Sequence, residues 1–508
     1  MKIFRVFALL LALLMVLTSV IACTKKTNEP DSQSSTGGDT EKSVETDKWG
    51  QEVIDDGISD DLDFGGKTIN VLVRSGEGFR YEWYTEEPSA AIDVEVFNRN
   101  SLVAEELNIT WNFIVENDSD QDKYNEKIMN VGRSGMGGID IVNSYRHLAA
   151  NANLIPFYMN VRSDKFTYLD LDKPYWNQYV NEASESFGRQ YFFIGDMNLS
   201  VYDRSIVTFF NKAKLHDNTG MTPDELYGLV LDGGWTYERL YEIVSTLYND
   251  IGDLSGDRDF YDFYGLTSIN ASEATDGLLY SWDLRLTSKD ENDGTHSLVS
   301  GADRTKMIDA FGKMNDLLYS EGVNLHEKAI EAITQFTGGN ALFMIDIISH
   351  TRATTTMLAD MVDGYGVIPT PKYDERQTTY YTGVQDAHNI MSVMYHGMGD
   401  YDMISAVLEL TASVSYSTVR PYYVETIIKT RQLDALSSKC FDHVLNGVKI
   451  DWADIYNHFL NNVRRTFWRG PFNDGKGSDG AITDAFGTYE ETITEKISEL
   501  DAWLVTQY

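Results

Sequence analysis

The sequence predicts an α/β fold, in which strands and helices alternate along the chain. Residues 67–73 alternate between polar and apolar types before they turn apolar, which predicts a strand. An apolar stripe over residues 93–107 predicts an amphipathic helix, and apolar runs at 109–115 and 138–142 predict two further strands. This alternating order is typical of a sheet with parallel strands that are connected by helices.

The middle of the chain carries clear helix starts. In "MTPDELYGLV", Thr222 is placed as an N-cap, Pro223 takes the first helical position and Glu225 the third, which predicts a capping box. In "GGWTYERLYEIVSTLY", Thr236 predicts a second capped helix with one apolar face. From about Ile404 to the end the sequence is predicted to be mainly helical.

The N-terminus has the features of a secretory signal peptide. Lys2 and Arg5 precede an apolar run of about a dozen residues, whereas a helix that spans a bilayer needs roughly 20. The exit "VIAC" resembles the bacterial lipobox, whose cysteine receives a diacylglyceryl thioether and becomes the new N-terminus. We therefore expect residues 1–22 to be removed and Cys23 to be lipidated. The alternatives are an ordinary signal peptide with an incidental cysteine and a retained membrane anchor.

The segment that follows is predicted to be a tether. From Thr24 to Lys48 the chain is rich in Ser, Thr, Gly, Asp and Glu and has hardly an apolar residue, so it cannot bury enough surface to fold. We expect residues 23–62 to comprise the lipidated cysteine and a disordered tether with a reach of very roughly 35 Å. The folded part is then expected to begin near Asp63, close to the membrane.

The composition limits the classes of partner. The formal charge is -36, and removal of Lys2 and Arg5 with the signal peptide takes it to -38. Such a surface repels phosphate backbones, so no nucleic-acid partner is expected. With Cys23 assigned to a lipid, no intramolecular disulfide framework is expected. Aromatic residues make up 12% of the chain, enough to supply both a core and rings for a binding surface.

Four motifs in order make a resemblance specific. They are "IVTFFNKAKL" at 206–215, "DGGWTYERLYEIVSTLY" at 232–248, "FTGGNALFMIDIISH" at 336–350 and "YGVIPTPKYDERQTTYYTG" at 365–383. Together, and after a lipobox, they resemble the family 1-type extracellular solute-binding lipoproteins, which are receptors of ABC importers and distant relatives of maltose-binding protein. Each motif is loose alone; the ordered set is considerably more specific.

This resemblance implies a two-lobed periplasmic-binding-protein-like fold of type II, with mixed sheets flanked by helices and a hinge between the lobes. The implied lobes are residues 64–200 plus 340–395 and residues 205–335 plus 396–508, with crossovers near 198–208 and 336–345. It also implies a monomeric, lipid-anchored receptor on the extracytoplasmic face of the cell membrane. Its implied partners are a sugar or oligosaccharide and ABC permease subunits, and it would be neither an enzyme nor a carrier of a cofactor.

Sugar recognition requires flat rings that stack on pyranose faces and polar groups that hydrogen-bond hydroxyls in pairs. Residues of these types occur in the loop after the first strand, at the carboxyl end of the third strand, in the crossover and in the later aromatic segments. They are Arg80, Trp83, Tyr145, Asp196, Tyr202, Trp282, Asp346 and Trp468. For each of them core packing, capping or a surface role is the alternative.

An acidic loop suggests a second kind of site. The segment at 249–266 resembles a calcium loop of the same family, with side-chain oxygens at Asp253, Ser255, Asp257, Asp259 and Asp262. It is two residues shorter than a 12-residue EF-type loop and lacks the glycine that follows the third acidic position. Structural calcium and a plain acidic turn both remain open.

Two other functions remain as alternatives. A secreted polysaccharide-degrading enzyme is one, although the sequence contains neither a G-x-S-x-G elbow nor an H-E-x-x-H motif. With 78 Asp and Glu residues, a pair of carboxylates at any spacing has no diagnostic value. A receptor for peptides or another solute is the other alternative.

Overall fold

The chain folds around two separate β-sheets, which the computed structural model describes together with most of the surrounding helices. The described residues are 45–76, 82–84, 88, 91–117, 120–251, 256–270, 272–351, 358, 361–396, 399–429, 435–472 and 480–506. Residues from Thr46 to Tyr508 form one unit by their contacts.

The strands of the described part follow one another through most of the chain. They are β1 (Lys67–Arg74), β2 (Ile109–Glu116), β3 (Ile141–Tyr145), β4 (Ile206–Asn211), β5 (Tyr248–Asn249), β6 (Phe263–Ile269), β7 (Thr287–Lys289), β8 (His296–Leu298), β9 (Val323–His326), β10 (Ala341–Ile347), β11 (Tyr365–Pro369) and β12 (Asn389–Val393).

The helices of the described part lie between the strands and make up most of the last third. They are α1 (Ala91–Glu106), α2 (Gln121–Ser134), α3 (Arg146–Ala149), α4 (Gln178–Ser184), α5 (Leu199–Asp203), α6 (Lys212–Thr219), α7 (Pro223–Leu231), α8 (Tyr237–Val244), α9 (Glu273–Ser281), α10 (Gly301–Leu318), α11 (Ala329–Thr337), α12 (Tyr401–Val414), α13 (Ala435–Asn446), α14 (Trp452–Ile455) and α15 (Ala481–Thr506).

The first sheet has four strands in the order β12-β3-β1-β2. Strand β1 pairs in parallel with β2 and with β3, whereas β12 is antiparallel to β3. The three strands and the intervening helix predicted from residues 67–142 are therefore confirmed, and the strand predicted at 138–142 lies at Ile141–Tyr145. We call this sheet and the elements packed on it the first lobe.

The second sheet has six strands, in the order β11-β4-β10-β6-β5 with β9 also pairing with β6. Its centre is mixed, because β10 is antiparallel to β4 but parallel to β6. All seven residues of β10 are buried, as expected for a strand with a neighbour on each side. We call this sheet and its helices the second lobe; the two-lobed α/β class with mixed sheets is confirmed.

The predicted division of the chain differs from the observed sheets at two places. Residues 340–395 were assigned to the first lobe, but β10 and β11 belong to the second sheet, so the chain returns to the first sheet between Pro369 and Asn389 and not near 336–345. Residues 396–508 were assigned to the second lobe, but α12 packs against α1 and lies in the core of the first lobe. Helix α13 does pack on β11 of the second sheet.

The predicted tether is too long at its C-terminal end. Ile54, Ile58 and Leu62 pack against the core of the first lobe, and Lys173 donates a hydrogen bond to the carbonyl of Asp55 over 2.6 Å. These apolar side chains give the segment enough buried surface to be ordered. The signal peptide and Cys23 lie outside the described residues.

Two of the predicted helix starts are confirmed in detail. Thr222 accepts a hydrogen bond from the backbone N–H of Glu225, whose carboxylate in turn accepts from the N–H of Thr222. Thr236 caps α8 in the predicted way. Among the described helices, none has both the length and the apolar character that crossing a membrane requires.

Candidate functional site

Charged side chains from both lobes meet where strands of the two sheets end. In the first lobe, α3 follows directly on the carboxyl end of β3 and Asp386 precedes β12. In the second lobe, α9 follows β6. The C-terminal segment adds the turn Arg464–Arg469, which packs on α9, and α14, which packs on α3 and α4 of the first lobe. We call the eight residues that gather here the inter-lobe cluster: Tyr145, Arg146, His147, Asp276, Asp386, Asp454, Arg464 and Arg469.

The turn that carries two of the arginines explains how both reach one carboxylate. Arg464–Arg469 is a π-type turn, wider than an α-helix. In an α-helix two residues five positions apart would point about 140° away from each other. Here Arg464 and Arg469 both donate to Asp276 of α9, Arg464 through Nε over 3.1 Å and Arg469 through Nη2 over 2.5 Å. The wide turn therefore places a paired guanidinium clamp on the second lobe.

Arg464 also connects this clamp to the first lobe. Nη1 of Arg464 lies 3.2 Å from a carboxylate oxygen of Asp454, and Nη1 of Arg146 lies 2.5 Å from the same carboxylate. The side chains of Arg146, Asp276, Asp454 and Arg464 are at most 2% exposed. These four residues form a buried layer that fixes the positions of the others.

The remaining members of the cluster reach the surface. The side chains of His147, Asp386 and Arg469 are 29%, 18% and 21% exposed, and Tyr145 is half-buried. Arg74 stacks on the ring of Tyr145 with its guanidinium carbon 4.6 Å from the ring centre. The accessible edge of the cluster therefore presents an aromatic ring, an imidazole, a carboxylate and a guanidinium group, which the buried layer holds in position.

The electrostatics set the charge state of each of these groups at neutral pH. Although burial opposes it, the surrounding Arg464, Arg469 and Arg146 hold the pKa of Asp386 well below its ordinary value. Burial, only partly offset by Asp386, lowers the pKa of His147, which favours the neutral imidazole. The cluster thus presents fixed donors and acceptors of both signs, the kind of group that binds hydroxyls through paired hydrogen bonds.

A second group of carboxyl residues borders the cluster on the second lobe. Gln385, next to Asp386, donates to Glu273 at the start of α9 over 2.5 Å. Asp346, one residue before the end of β10, is 1% exposed and accepts from His350 over 3.0 Å. Burial and then the charge of Asp346 raise the pKa of Glu273.

Of the eight predicted ligand residues, Tyr145 lies in the cluster and Asp346 borders it. Trp468 lies on the same turn as the two arginines, but its ring is 1% exposed and packs edge-on against Tyr280. The groups of this turn that face the cluster are the arginines and not the tryptophan, and a role of Trp468 in ligand binding stays a prediction.

Two further predicted rings are core residues in this structure. Trp83 is fully buried and packs edge-on against Trp111 at 6.1 Å. Trp282 is fully buried between Tyr237 and Tyr373. Neither ring has a free face for stacking on a sugar, because their large apolar area is used to fill the lobes. Arg80 lies outside the described residues.

Asp196 and Tyr202 come together, but in a different group. The hydroxyl of Tyr202 donates to Asp196 over 2.6 Å, and Nε of Arg420 lies 3.6 Å from the same carboxylate. Both residues are buried at the crossover between the sheets. Their contacts are those of a structural group that fixes α5, and a role in ligand binding stays a prediction.

No pattern in the sequence selects Arg146, Asp276, Asp454 and Arg464. These residues are separated by up to about 300 positions along the chain, and only the fold makes them neighbours. The available signal was the density of arginine in "RRTFWRG", because an arginine that becomes buried, as Arg464 does, needs carboxylate partners.

The calcium prediction is only partly covered by the structure, since Asp253 and Ser255 lie outside the described residues. Asp262 is buried and accepts hydrogen bonds from the N–H of Ile251 and of Asp259. Within the described ranges no group of three or more His, Cys, Asp or Glu residues is arranged to hold a metal ion. Calcium at this loop stays a prediction. It is tested by comparing the melting temperature of the protein in calcium with its melting temperature in a chelator.

Comparison with known proteins identifies the fold. No protein-family model and no curated protein matches this sequence. Among solved structures, a cyclo/maltodextrin-binding protein in complex with maltotetraose is similar with a TM-score of 0.53 and 13% identity, over 84% of this chain and 97% of that one. The sugar-binding protein MalE from Xanthomonas citri is similar with a TM-score of 0.56 and 12% identity, over 87% and 100%.

These matches extend over most of the chain and over nearly all of each related structure. At such low identity they carry information on architecture alone, which agrees with the two mixed sheets. The chain therefore has the two-lobed α/β fold of the maltodextrin-binding proteins, as the sequence resemblance predicted.

Proposed function

We propose that the protein is an extracytoplasmic receptor that captures a sugar or oligosaccharide at the inter-lobe cluster and passes it unchanged to an ABC importer. The observation that carries the proposal is the cluster itself, in which side chains of both lobes meet at the carboxyl ends of β3 and β6. In open α/β sheets ligands bind at these ends. The fold shared with sugar-binding proteins supports the same function.

The polar groups suit a solute that is rich in hydroxyls. Arg469 and Asp386 offer a donor pair and an acceptor pair at the accessible edge, and Tyr145 offers a ring. Nε and Nη2 of Arg146 have no hydrogen-bond partner among the described residues, so the cluster has donor capacity beyond its own carboxylates. The charged layer beneath would hold these groups in place as the lobes close on the solute.

The test is a panel of oligosaccharides added to the full mature protein. Maltotetraose, cellotetraose and xylotetraose are compared by thermal melting, and the mixtures are assayed for new reducing ends. We expect at least one saccharide to raise the melting temperature without any release of reducing ends. Release of reducing ends would instead support a polysaccharide-degrading enzyme, and a panel without any shift would contradict sugar binding.

Substitution locates the binding site. Arg469→Gln removes the accessible guanidinium but leaves Arg464 on Asp276, so the affinity for the identified saccharide is expected to fall at least tenfold. The matched control is Arg376→Gln, a surface arginine paired with Asp374 and 87% exposed, which should bind as the wild type does. Equal affinity of the two variants would place the sugar elsewhere.

The lipid anchor is the second part of the proposal and rests on the lipobox-like sequence before Cys23. Cys23→Ser is expected to abolish labelling by radioactive palmitate and to release the protein into the medium. The other cysteine supplies the control, since Cys440→Ser should keep the label and the cell-surface location. Equal labelling of both variants would show that Cys23 is not the acceptor.

A further inference from the structure

A separate cavity lies beside the hairpin formed by β7 and β8. It has a volume of about 470 Å³, within the range of roughly 300–1,000 Å³ that is usual for small-molecule sites. Its walls come from α4 of the first lobe, from residues 283–291, from α10 and from residues 449–452. We call it the hairpin cavity; none of its lining residues belongs to the inter-lobe cluster.

Three cationic side chains of this cavity contact Asp283, two at its carboxylate and one at its carbonyl. The ammonium group of Lys449 forms an ion pair with Asp283, and Nε of Arg285 lies 3.5 Å from the same carboxylate. Nζ of Lys306 donates to the carbonyls of Trp282 over 2.7 Å and of Asp283 over 3.4 Å, and none of the described ion pairs includes it. The wall carries four basic and five acidic side chains, and of the four cations Lys306 alone has no carboxylate partner among the described ion pairs.

The cations are partly withdrawn from water. Burial lowers the pKa of both Lys306 and Lys449, because an ammonium group loses hydration inside the protein. Burial also raises the pKa of Asp451, on the cavity wall, to about 7, so this carboxyl is only about half ionised at neutral pH. A carboxylate of a ligand would give Lys306 the ionic partner that the described ion pairs do not supply, at a place where charges are weakly screened.

The backbone holds this arrangement in place. Asp283 has a φ of 53°, in the left-handed region that residues other than glycine seldom adopt. Such strain is retained where the surrounding structure fixes a residue, and it concentrates at binding sites. In this backbone conformation the carboxylate of Asp283 faces Lys449, and the carbonyl of Asp283 accepts a hydrogen bond from Lys306.

The rest of the cavity wall is polar and suits hydroxyl groups. It contains an aromatic ring with a hydroxyl, two further hydroxyls and three exposed carboxylates: Tyr179, Thr287, Ser288, Glu182, Glu291 and Asp303. The exposed carboxylates lie in water, where they are screened and offset the buried cations weakly. A ligand with one anionic group and several hydroxyls would match both parts of the wall.

We propose that the hairpin cavity binds a saccharide that carries a carboxylate, that is, a uronic acid, through Arg285 and Lys306. The planar guanidinium of Arg285 is suited to paired hydrogen bonds with a carboxylate, and Lys306 adds a point charge. The proposal does not depend on sugar capture at the inter-lobe cluster, since the two places share no residue.

The experiment compares trigalacturonate with its fully methyl-esterified form, which keeps the shape and loses the charge. Binding to the full mature protein is measured by calorimetry at low and high sodium chloride. We expect saturable binding of the acid, at least tenfold weaker binding of the ester, and a loss of affinity for the acid alone as the salt increases.

The double variant Arg285→Gln/Lys306→Gln should bind the acid at least tenfold more weakly than the wild type. Arg285 is 49% exposed at its side chain and Lys306 is partly exposed, so the fold should be retained. Lys313→Gln, two turns along α10 and outside the cavity, is the matched control and should bind normally. Equal binding of acid and ester, an unaffected double variant, or binding of neither probe would each overturn the proposal.

Discussion

Glu409 is a carboxyl group held in the core of the first lobe by donors alone. The indole N–H of Trp176 and the backbone N–H of Asp170 each donate to one oxygen over 3.1 Å, and the hydroxyl of Tyr175 donates to the other. Although these donors favour the ionised form, burial dominates and raises the pKa of Glu409 to about 7. This carboxyl group therefore makes the stability depend on pH.

The direction of that dependence follows from the two states. In the unfolded chain Glu409 titrates near its ordinary pKa of about 4.3, so between that value and about 7 the folded protein holds a proton that the unfolded chain has lost. The contribution of Glu409 to stability is thus complete at low pH and falls as the pH rises through 7. Charge repulsion from Asp170 acts in the same direction.

Glu409→Gln is expected to remove this loss of stability with rising pH. The amide oxygen can accept from Trp176 and Asp170 while its NH₂ group donates to the hydroxyl of Tyr175, which can reverse its role. Urea unfolding at pH 5 and pH 8 should show a stability difference between the two pH values that is smaller in the variant by about 1–3 kcal/mol. Glu491→Gln, an exposed residue of α15, is the control and should keep the wild-type difference.

At the scale of single residues, the sequence supplies the residue types but not which residues become neighbours in the fold. Tyr145 was identified because the carboxyl end of a strand is a position that topology alone marks. Trp83 and Trp282 were misplaced because a large ring serves equally well in a core and on a binding surface. Even within one helical stripe, Val96 is fully buried whereas Phe97 is 44% exposed, a difference that depends on where α1 meets α12.

The elements were easier to predict than their side-chain contacts. Strands β1 and β2 and helix α1 were found from periodicity, and α7 from its cap, because these signals are local. Strand β3 was placed three residues early, since "GIDIV" and the polar "NSY" that follows differ in composition but not in burial. Its pairing with β12, almost 250 residues away, is what extends it to Tyr145.

The capping box of α7 allows a quantitative prediction. Thr222→Ala leaves the N–H of Glu225 without its side-chain acceptor and removes one half of a reciprocal pair. We expect a loss of about 1 kcal/mol in the free energy of unfolding, measured by urea denaturation. Thr305→Ala is the matched control, because the exposed Thr305 bonds only to a carbonyl within its own helix, and it should change stability by less than about 0.5 kcal/mol.

For the whole molecule, the two sheets were predictable but the course of the chain between them was not. The order of motifs implied two lobes, which the structure confirms. The return crossover was misplaced because β10 is an apolar strand whose sequence is compatible with either sheet. Only its pairing with β4 and β6 assigns it to the second sheet. The same holds for α12, whose apolar surface does not reveal which lobe it covers.

The C-terminal segment joins the lobes through charges, and Arg464 is its central contact. It bonds to Asp276 of the second lobe and to Asp454, which also pairs with Arg146 of the first lobe. Arg464→Met should therefore lower the free energy of unfolding by about 3 kcal/mol, the lower end of the range for breaking a buried ion pair, because each carboxylate keeps one other arginine.

Urea denaturation of single and double variants measures this contribution. Because Asp276→Asn removes the same interaction from the other side, the double variant with Arg464→Met should cost at least about 1 kcal/mol less than the sum of the two single losses. Arg376→Gln breaks an exposed pair and should cost less than about 1 kcal/mol. Additive losses would mean that Arg464 and Asp276 act independently, and would contradict a role for this pair in joining the lobes.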